Sequence, residues 1–128
     1  MKKTPEAVEN YLETILILGR DETPVRSVDI AKELKFSKPT ISVAMKNLKA
    51  KGYIFVCESG YITLTESGQA IANKMYDRHR LISDWLTLLG VNRETAIRDA
   101  CKIEHDISEE SFFALKKHIE KWKNEMYN

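Results

Sequence analysis

The stretch from Ser27 to Thr65 constrains this chain more than any other part of it. Ser27-Val-Asp-Ile-Ala-Lys-Glu-Leu34 has the length and pattern of a short helix, Lys35-Phe36-Ser37 reads as a tight turn, and Lys38 to Lys51 as a second helix. Gly52 ends that helix, and residues 53–57 and 61–65 run or alternate apolar around Glu58-Ser59-Gly60, a hairpin with its turn. Helix, three-residue turn, helix and two strands is the winged helix-turn-helix order, whose second helix is sized for the major groove of DNA. The sequence therefore predicts a chain that binds DNA.

Charge agrees locally rather than globally. The net charge of +1 over 128 residues carries no message, but between Lys32 and Lys51 six lysines (Lys32, Lys35, Lys38, Lys46, Lys49 and Lys51) face a single acid, Glu33. A lysine cluster is commonly just a solvated helix face; beside a recognition helix it is what neutralising phosphates requires. No signal peptide, transmembrane run or lipidation motif is present, which predicts a cytoplasmic chain. Cys57 and Cys101 fall in different elements, and a reducing compartment favours thiols or metal ligands over a disulfide.

The rest of the chain is helical. Thr4-Pro5-Glu6 reads as a helix start with Thr4 as cap, and Val8, Tyr11, Leu12, Ile15 and Leu16 form an apolar stripe before Gly19 to Pro24 breaks the helix. Ser27 is expected to cap the next helix, with Val28, Ala31 and Leu34 inward, and Ser37 the one after, with Ile41, Met45 and Leu48 packing. Thr65 is expected to cap a long helix over 66–89, stopped by Gly90. Asn92 opens another to about His105, and Ser108 a last amphipathic one bearing Phe112, Phe113, Leu115, Ile119, Trp122 and Met126. The fold class predicted is mainly α: a winged helix-turn-helix over 1–65, then an α-helical domain over 66–128 whose large aromatics suggest a dimer interface. Packing of those aromatics within one chain is the plainer alternative.

Position on the recognition helix nominates the DNA contacts. Its first turns expose Lys38, Pro39, Thr40, Ser42 and Lys46, and Ser59 and Tyr61 sit where a wing reaches the backbone. Short hydroxyl and apolar side chains meet base edges or thymine methyls, while lysines hold phosphates. The first two turns carry no Arg, Asn or Gln, so DNA shape is expected to share in the readout.

A second constellation points to a metal. In Cys101-Lys-Ile-Glu104-His105 a thiol, a carboxylate and an imidazole fall at i, i+3 and i+4 of one helix face, a mixed donor set suited to a divalent transition metal. Alone the pattern is weak, because helix cysteines are usually small core residues and Glu-His pairs usually face solvent. His79, the one histidine of the long helix, adds a nitrogen donor, and Asn10 and Glu13 add oxygens on one face of the first helix.

The helix order, Ser37-Lys-Pro39-Thr40, Asp77-Arg78-His79 and Ile103-Glu104-His105 together resemble the diphtheria-toxin-repressor family of metal-dependent regulators (the DtxR/MntR group), from about Pro5 to the last helix. The likeness is to the short, manganese-sensing type, which lacks the SH3-like domain of longer iron sensors. It implies a homodimer in which metal lies between the first helix, the long helix and the dimerisation domain. The metal orders both readers for a palindromic double-stranded operator, and metal-uptake genes are repressed. It implies Glu13, His79, Glu104 and His105 as manganese-type ligands. Cys101 stands where manganese sensors carry Glu and iron sensors Cys, and Asn10 where they carry Asp and Met. Ser83 and Ile97 depart from the ancillary site of the iron sensors, and Val43 replaces one of their base-reading glutamines.

These departures shape the expected cofactor. Losing two hard anionic oxygens weakens a two-metal manganese cluster, and a thiolate favours Fe²⁺, Co²⁺ or Zn²⁺. The expectation is at least one divalent metal per subunit, Mn²⁺ or Fe²⁺, with Zn²⁺ next. Two rivals differ in class. One is a winged-helix regulator that answers a small organic ligand or binds DNA constitutively. The other is an enzyme with a Cys/His/Glu triad, disfavoured because no glycine-rich oxyanion loop accompanies Cys101.

Overall fold

The computed structural model of the chain describes residues 4–127. It falls into two compact units that divide between Met75 and Tyr76, inside one long helix. The first unit holds α1 (Glu6–Leu18), a single 3₁₀ turn (Arg20–Glu22), α2 (Ser27–Leu34), α3 (Lys38–Ala50), β1 (Ile54–Val56), β2 (Ile62–Leu64) and the start of α4 (Glu66–Leu88). The second holds the rest of α4, then α5 (Arg93–Asp106) and α6 (Glu109–Tyr127).

Caps explain most helix boundaries and correct two expectations. Thr4 does not cap α1: Pro5 occupies the cap position with ψ 143°, outside the helical range, and makes no side-chain cap bond, so the helix starts a residue later. Glu6 and Glu9 then lie in the first turn, where the helix dipole favours acids. Ser27 is likewise inside α2, not its cap. The cap is Arg26, and the Asp29 carboxylate reaches back to accept its N–H at 2.9 Å, the return half of a capping box. With that start, Ile30 and Ala31 are buried and Val28 is turned outward, 37% exposed.

The turn between α2 and α3 rests on Lys35, which adopts the left-handed conformation (φ 58°) at the end of α2. Ser37 caps α3 as expected, its Oγ accepting the Thr40 N–H at 3.3 Å, and Pro39 sits in the first turn, where its missing N–H costs nothing. Ile41, Met45 and Leu48 bury one face. At the far end Gly52 takes φ 79° while the Tyr53 N–H bonds back to the Leu48 carbonyl at 3.0 Å, the glycine-closed ending that spares a side chain the left-handed penalty.

The wing is a short antiparallel hairpin pairing Ile54 with Leu64, Phe55 with Thr63 and Val56 with Ile62. Alternation puts Ile54 and Ile62 into the core and Phe55 into solvent. The Ile62 N–H also donates to the Val25 carbonyl at 2.8 Å, tying the wing to the segment before α2. Thr65 caps α4, its Oγ1 accepting the Gly68 N–H at 3.2 Å while donating to the Gly52 carbonyl at 2.7 Å.

In the second unit Gly90 ends α4 with φ 104°, Asn92 caps α5 through its side-chain oxygen, and the Ser108 hydroxyl accepts the Ser111 N–H at the start of α6. Ile82, Ala96, Ala100, Phe112 and Ile119 form its apolar interior. Phe113 and Met126 of α6 remain largely exposed. No helix among the described residues is long and apolar enough to cross a membrane.

Candidate metal centre and nucleic-acid face

The centre of the second unit is a carboxylate between two imidazoles. Glu104, on α5, is fully buried; its Oε2 lies 3.1 Å from His79 Nδ1 of α4 and its Oε1 3.3 Å from His105 Nε2. The donor atoms of Cys101, Glu104 and His105 all lie within 4.8 Å of one another. Donors around one divalent ion at about 2.0–2.3 Å stand about 3–4 Å apart, so this cluster fits a cation with small side-chain adjustments. The helical spacing brings Cys101, Glu104 and His105 together, and the packing of α4 on α5 adds His79. Neither cysteine is in a disulfide.

On α1, Glu13 is a buried acid, 4% exposed, and Asn10 is partly buried, with its main-chain carbonyl accepting the Thr14 hydroxyl at 2.8 Å. An acid withdrawn from water to that degree is uncommon unless it is paired, and Glu9 on the same helix is equally buried.

Sequence reasoning missed the residue that holds the centre in place. Arg78, 4% exposed, donates from Nη1 to the main-chain carbonyls of Glu104 (3.0 Å) and Ile107 (2.8 Å), and its guanidinium lies 5.1 Å from the centre of the Phe112 ring. A cation at the carboxyl end of α5 meets the negative end of the helix dipole and fixes the backbone that carries Glu104. The only signal in the sequence was its place beside His79.

On the first unit, the residues nominated for DNA lie on one recognition helix and one wing. Lys38, Pro39, Thr40, Ser42 and Lys46 are all exposed on α3, and Ser59 and Tyr61 on the wing. Ser37 and Thr40 share a hydroxyl–hydroxyl bond of 2.7 Å in the first turn. Val43 is 59% exposed on the same helix, an apolar side chain off the buried stripe of Ile41, Met45 and Leu48. Arg26 was also missed. Its Nη2 donates to the Ser59 carbonyl and its guanidinium lies 4.8 Å from the centre of the Tyr61 ring, so it grips the wing tip from the start of α2. The Cys57 thiol, fully exposed at the end of β1, is held below its ordinary value chiefly by the main-chain N–H of Tyr61.

Comparison with known proteins gives the family of the chain. Residues 3–60 match the family model described as the N-terminal DNA-binding domain of iron-dependent repressors, and residues 65–127 match their metal-binding and dimerisation domain. The transcriptional regulator MntR of Escherichia coli O6:H1 is 35% identical over 111 residues, covering 87% of this chain and 72% of the relative. An uncharacterised HTH-type transcriptional regulator of Methanocaldococcus jannaschii is 34% identical, with 94% and 98% covered. Among solved structures, a manganese-dependent transcriptional repressor in complex with manganese superposes with a TM-score of 0.80 at 25% identity, over 88% of this chain and 52% of that one. With both domain models in chain order and relatives matched over most of its length, this chain belongs to the iron-dependent repressor family of metal-dependent transcriptional regulators.

Proposed function

We propose that the chain represses genes for divalent-metal uptake, with residues 1–65 reading a palindromic operator and residues 66–128 carrying metal binding and dimerisation. The observation that carries this reading is the buried Glu104 carboxylate between His79 and His105 with Cys101 beside it. His79, Cys101, Glu104 and His105 are the proposed donors of the second unit. Asn10 and Glu13 complete the set by resemblance to the family. A bound divalent cation supplies positive charge that satisfies the buried carboxylate and fixes the directions of its donors. Glu104 orients both imidazoles toward it, and Arg78 holds the turn of α5 from which Glu104 projects.

Sulfur in this set favours Fe²⁺ or Zn²⁺ relative to a carboxylate at the same place, whereas the carboxylates and the likeness to manganese sensors favour Mn²⁺; Mn²⁺ and Fe²⁺ are the proposed activators, with Zn²⁺ a competitor. On DNA, Lys38 and Lys46 are proposed to hold phosphates, Pro39, Thr40, Ser42 and Val43 to face base edges and thymine methyls, and Ser59 and Tyr61 to meet the backbone from the wing.

The test is anaerobic isothermal titration of the metal-free protein with Mn²⁺, Fe²⁺ and Zn²⁺, on wild type and on Cys101→Ser, followed by duplex binding with and without metal. Saturable binding with a preference that moves toward Mn²⁺ in the variant is expected. An unchanged preference would remove Cys101 from the donor set. Duplex binding indifferent to every metal would overturn the proposed switch.

A further inference from the structure

A shallow cleft of about 190 Å³ lies between the start of α2, the outer face of α3 and β1. Met45 and Val56 contribute its apolar lining, and Ser27, Ser42, Lys46 and Lys49 its polar one. Ser42, Lys46 and Lys49 stand at i, i+4 and i+7, a single stripe of the recognition helix; Ser27 faces them from α2. No acid lines the cleft, and among the described residues none of these four side chains makes a hydrogen bond or ion pair. Two ammonium groups and two hydroxyls therefore line one small space with no anionic acceptor among its lining residues. Two lysines one turn apart repel each other, and an anion between them turns that repulsion into attraction.

We propose that this cleft seats one backbone phosphate of the bound duplex, with Lys46 and Lys49 sharing it and the Ser27 and Ser42 hydroxyls donating to its oxygens. The proposal rests on the DNA-binding reading and deepens it by assigning Ser27 and Lys49 to the interface and by turning the Ser42 hydroxyl from base edges to the backbone. Its consequence is geometric. A phosphate clamped between α2 and α3 sets how deeply α3 enters the major groove, which determines whether Thr40 and Val43 reach base edges.

A seat shared by two lysines differs measurably from two separate contacts. Each neutralised phosphate contributes about 0.9 to the slope of log K against log salt. The experiment measures fluorescence anisotropy of a labelled duplex, obtained by selection with the wild-type chain, over a range of salt concentrations. It uses metal-saturated full-length wild type, Lys46→Gln, Lys49→Gln and the double variant; all these substitutions are at exposed positions. Both single variants are expected to bind more weakly, and the double variant to lower the slope by about one in total. A fall of about two would assign the lysines to different phosphates and overturn the shared seat. An unchanged affinity and slope for Lys49→Gln would overturn it as well. Failure of the wild-type chain to bind any duplex with any divalent metal would instead overturn the DNA-binding reading, and the seat with it.

Discussion

Glu104 gains its importance from its neighbours rather than from its own type. A fully buried carboxylate flanked by two imidazoles is a costly arrangement unless charge is brought to it. Glu104→Gln keeps the shape while removing the charge, so it should lose saturable metal binding in calorimetry yet retain the helical circular dichroism of the wild type. Arg78 acts on the same centre through the backbone. Arg78→Met strips the Glu104 and Ile107 carbonyls of their donor, and one buried acceptor left bare costs about 1–3 kcal/mol. Chemical denaturation should register that loss, and metal affinity should fall with it. The Cys57 thiol invites a different measurement. Its lowered pKa and full exposure predict alkylation by iodoacetamide at a lower pH than an unperturbed thiol requires, with protection once duplex covers the wing. Equal pH profiles for Cys57 in the folded and urea-unfolded chain would refute the first part.

At the level of elements, what was legible in the sequence were features that act locally. Ser37, Thr65, Asn92 and Ser108 cap helices through their own side chains, and Gly52 and Gly90 end helices with positive φ, so residue type alone located them. Thr4 and Ser27 misled because neighbours competed for the same role: Pro5 took the cap position in one case, and Asp29 drew the cap to Arg26 in the other. The helical spacing of Cys101, Glu104 and His105 was equally readable, whereas His79 and Glu104 are 25 residues apart and only packing joins them. Arg26 and Ser59 are 33 residues apart, and no periodicity announces their bond. That bond makes the wing tip a testable device. Arg26→Ala should leave α2 and α3 intact while raising amide hydrogen exchange at Ser59 to Tyr61 and weakening duplex binding; Arg26→Lys should not restore it, since an ammonium lacks the planar fork that serves carbonyl and ring together. Unchanged exchange at the wing in the alanine variant would remove Arg26 from this role. The start of α4 is as tightly specified. A Cβ on Gly68 would overlap the Tyr53 carbonyl oxygen, so Gly68→Ala forces backbone movement where wing and long helix meet.

At the level of the whole molecule the metal-binding and DNA-binding functions are thermodynamically linked. If metal raises duplex affinity by some factor, duplex must raise metal affinity by the same factor, because the two binding equilibria close one cycle. The linkage also reaches stability. Metal bound by the folded chain alone stabilises it by RT ln(1 + [M]/Kd), about 2.7 kcal/mol at a hundredfold excess over Kd. For a chain of this size, at roughly 2–8 °C per kcal/mol, that corresponds to a rise in melting temperature on the order of 5–20 °C. Calorimetric melts with and without Mn²⁺ should therefore separate for wild type and coincide for His79→Ala, at fixed protein concentration because dimerisation makes the midpoint concentration-dependent. Titrating metal into the free and the duplex-bound wild-type protein then closes the cycle. Equal metal affinities in the two titrations, alongside duplex binding that still responds to metal, would break the reciprocity and show that the response arises outside a two-ligand equilibrium. Matching factors in the wild type, both lost in His79→Ala, would identify the cluster around Glu104 as the site through which metal concentration sets operator occupancy.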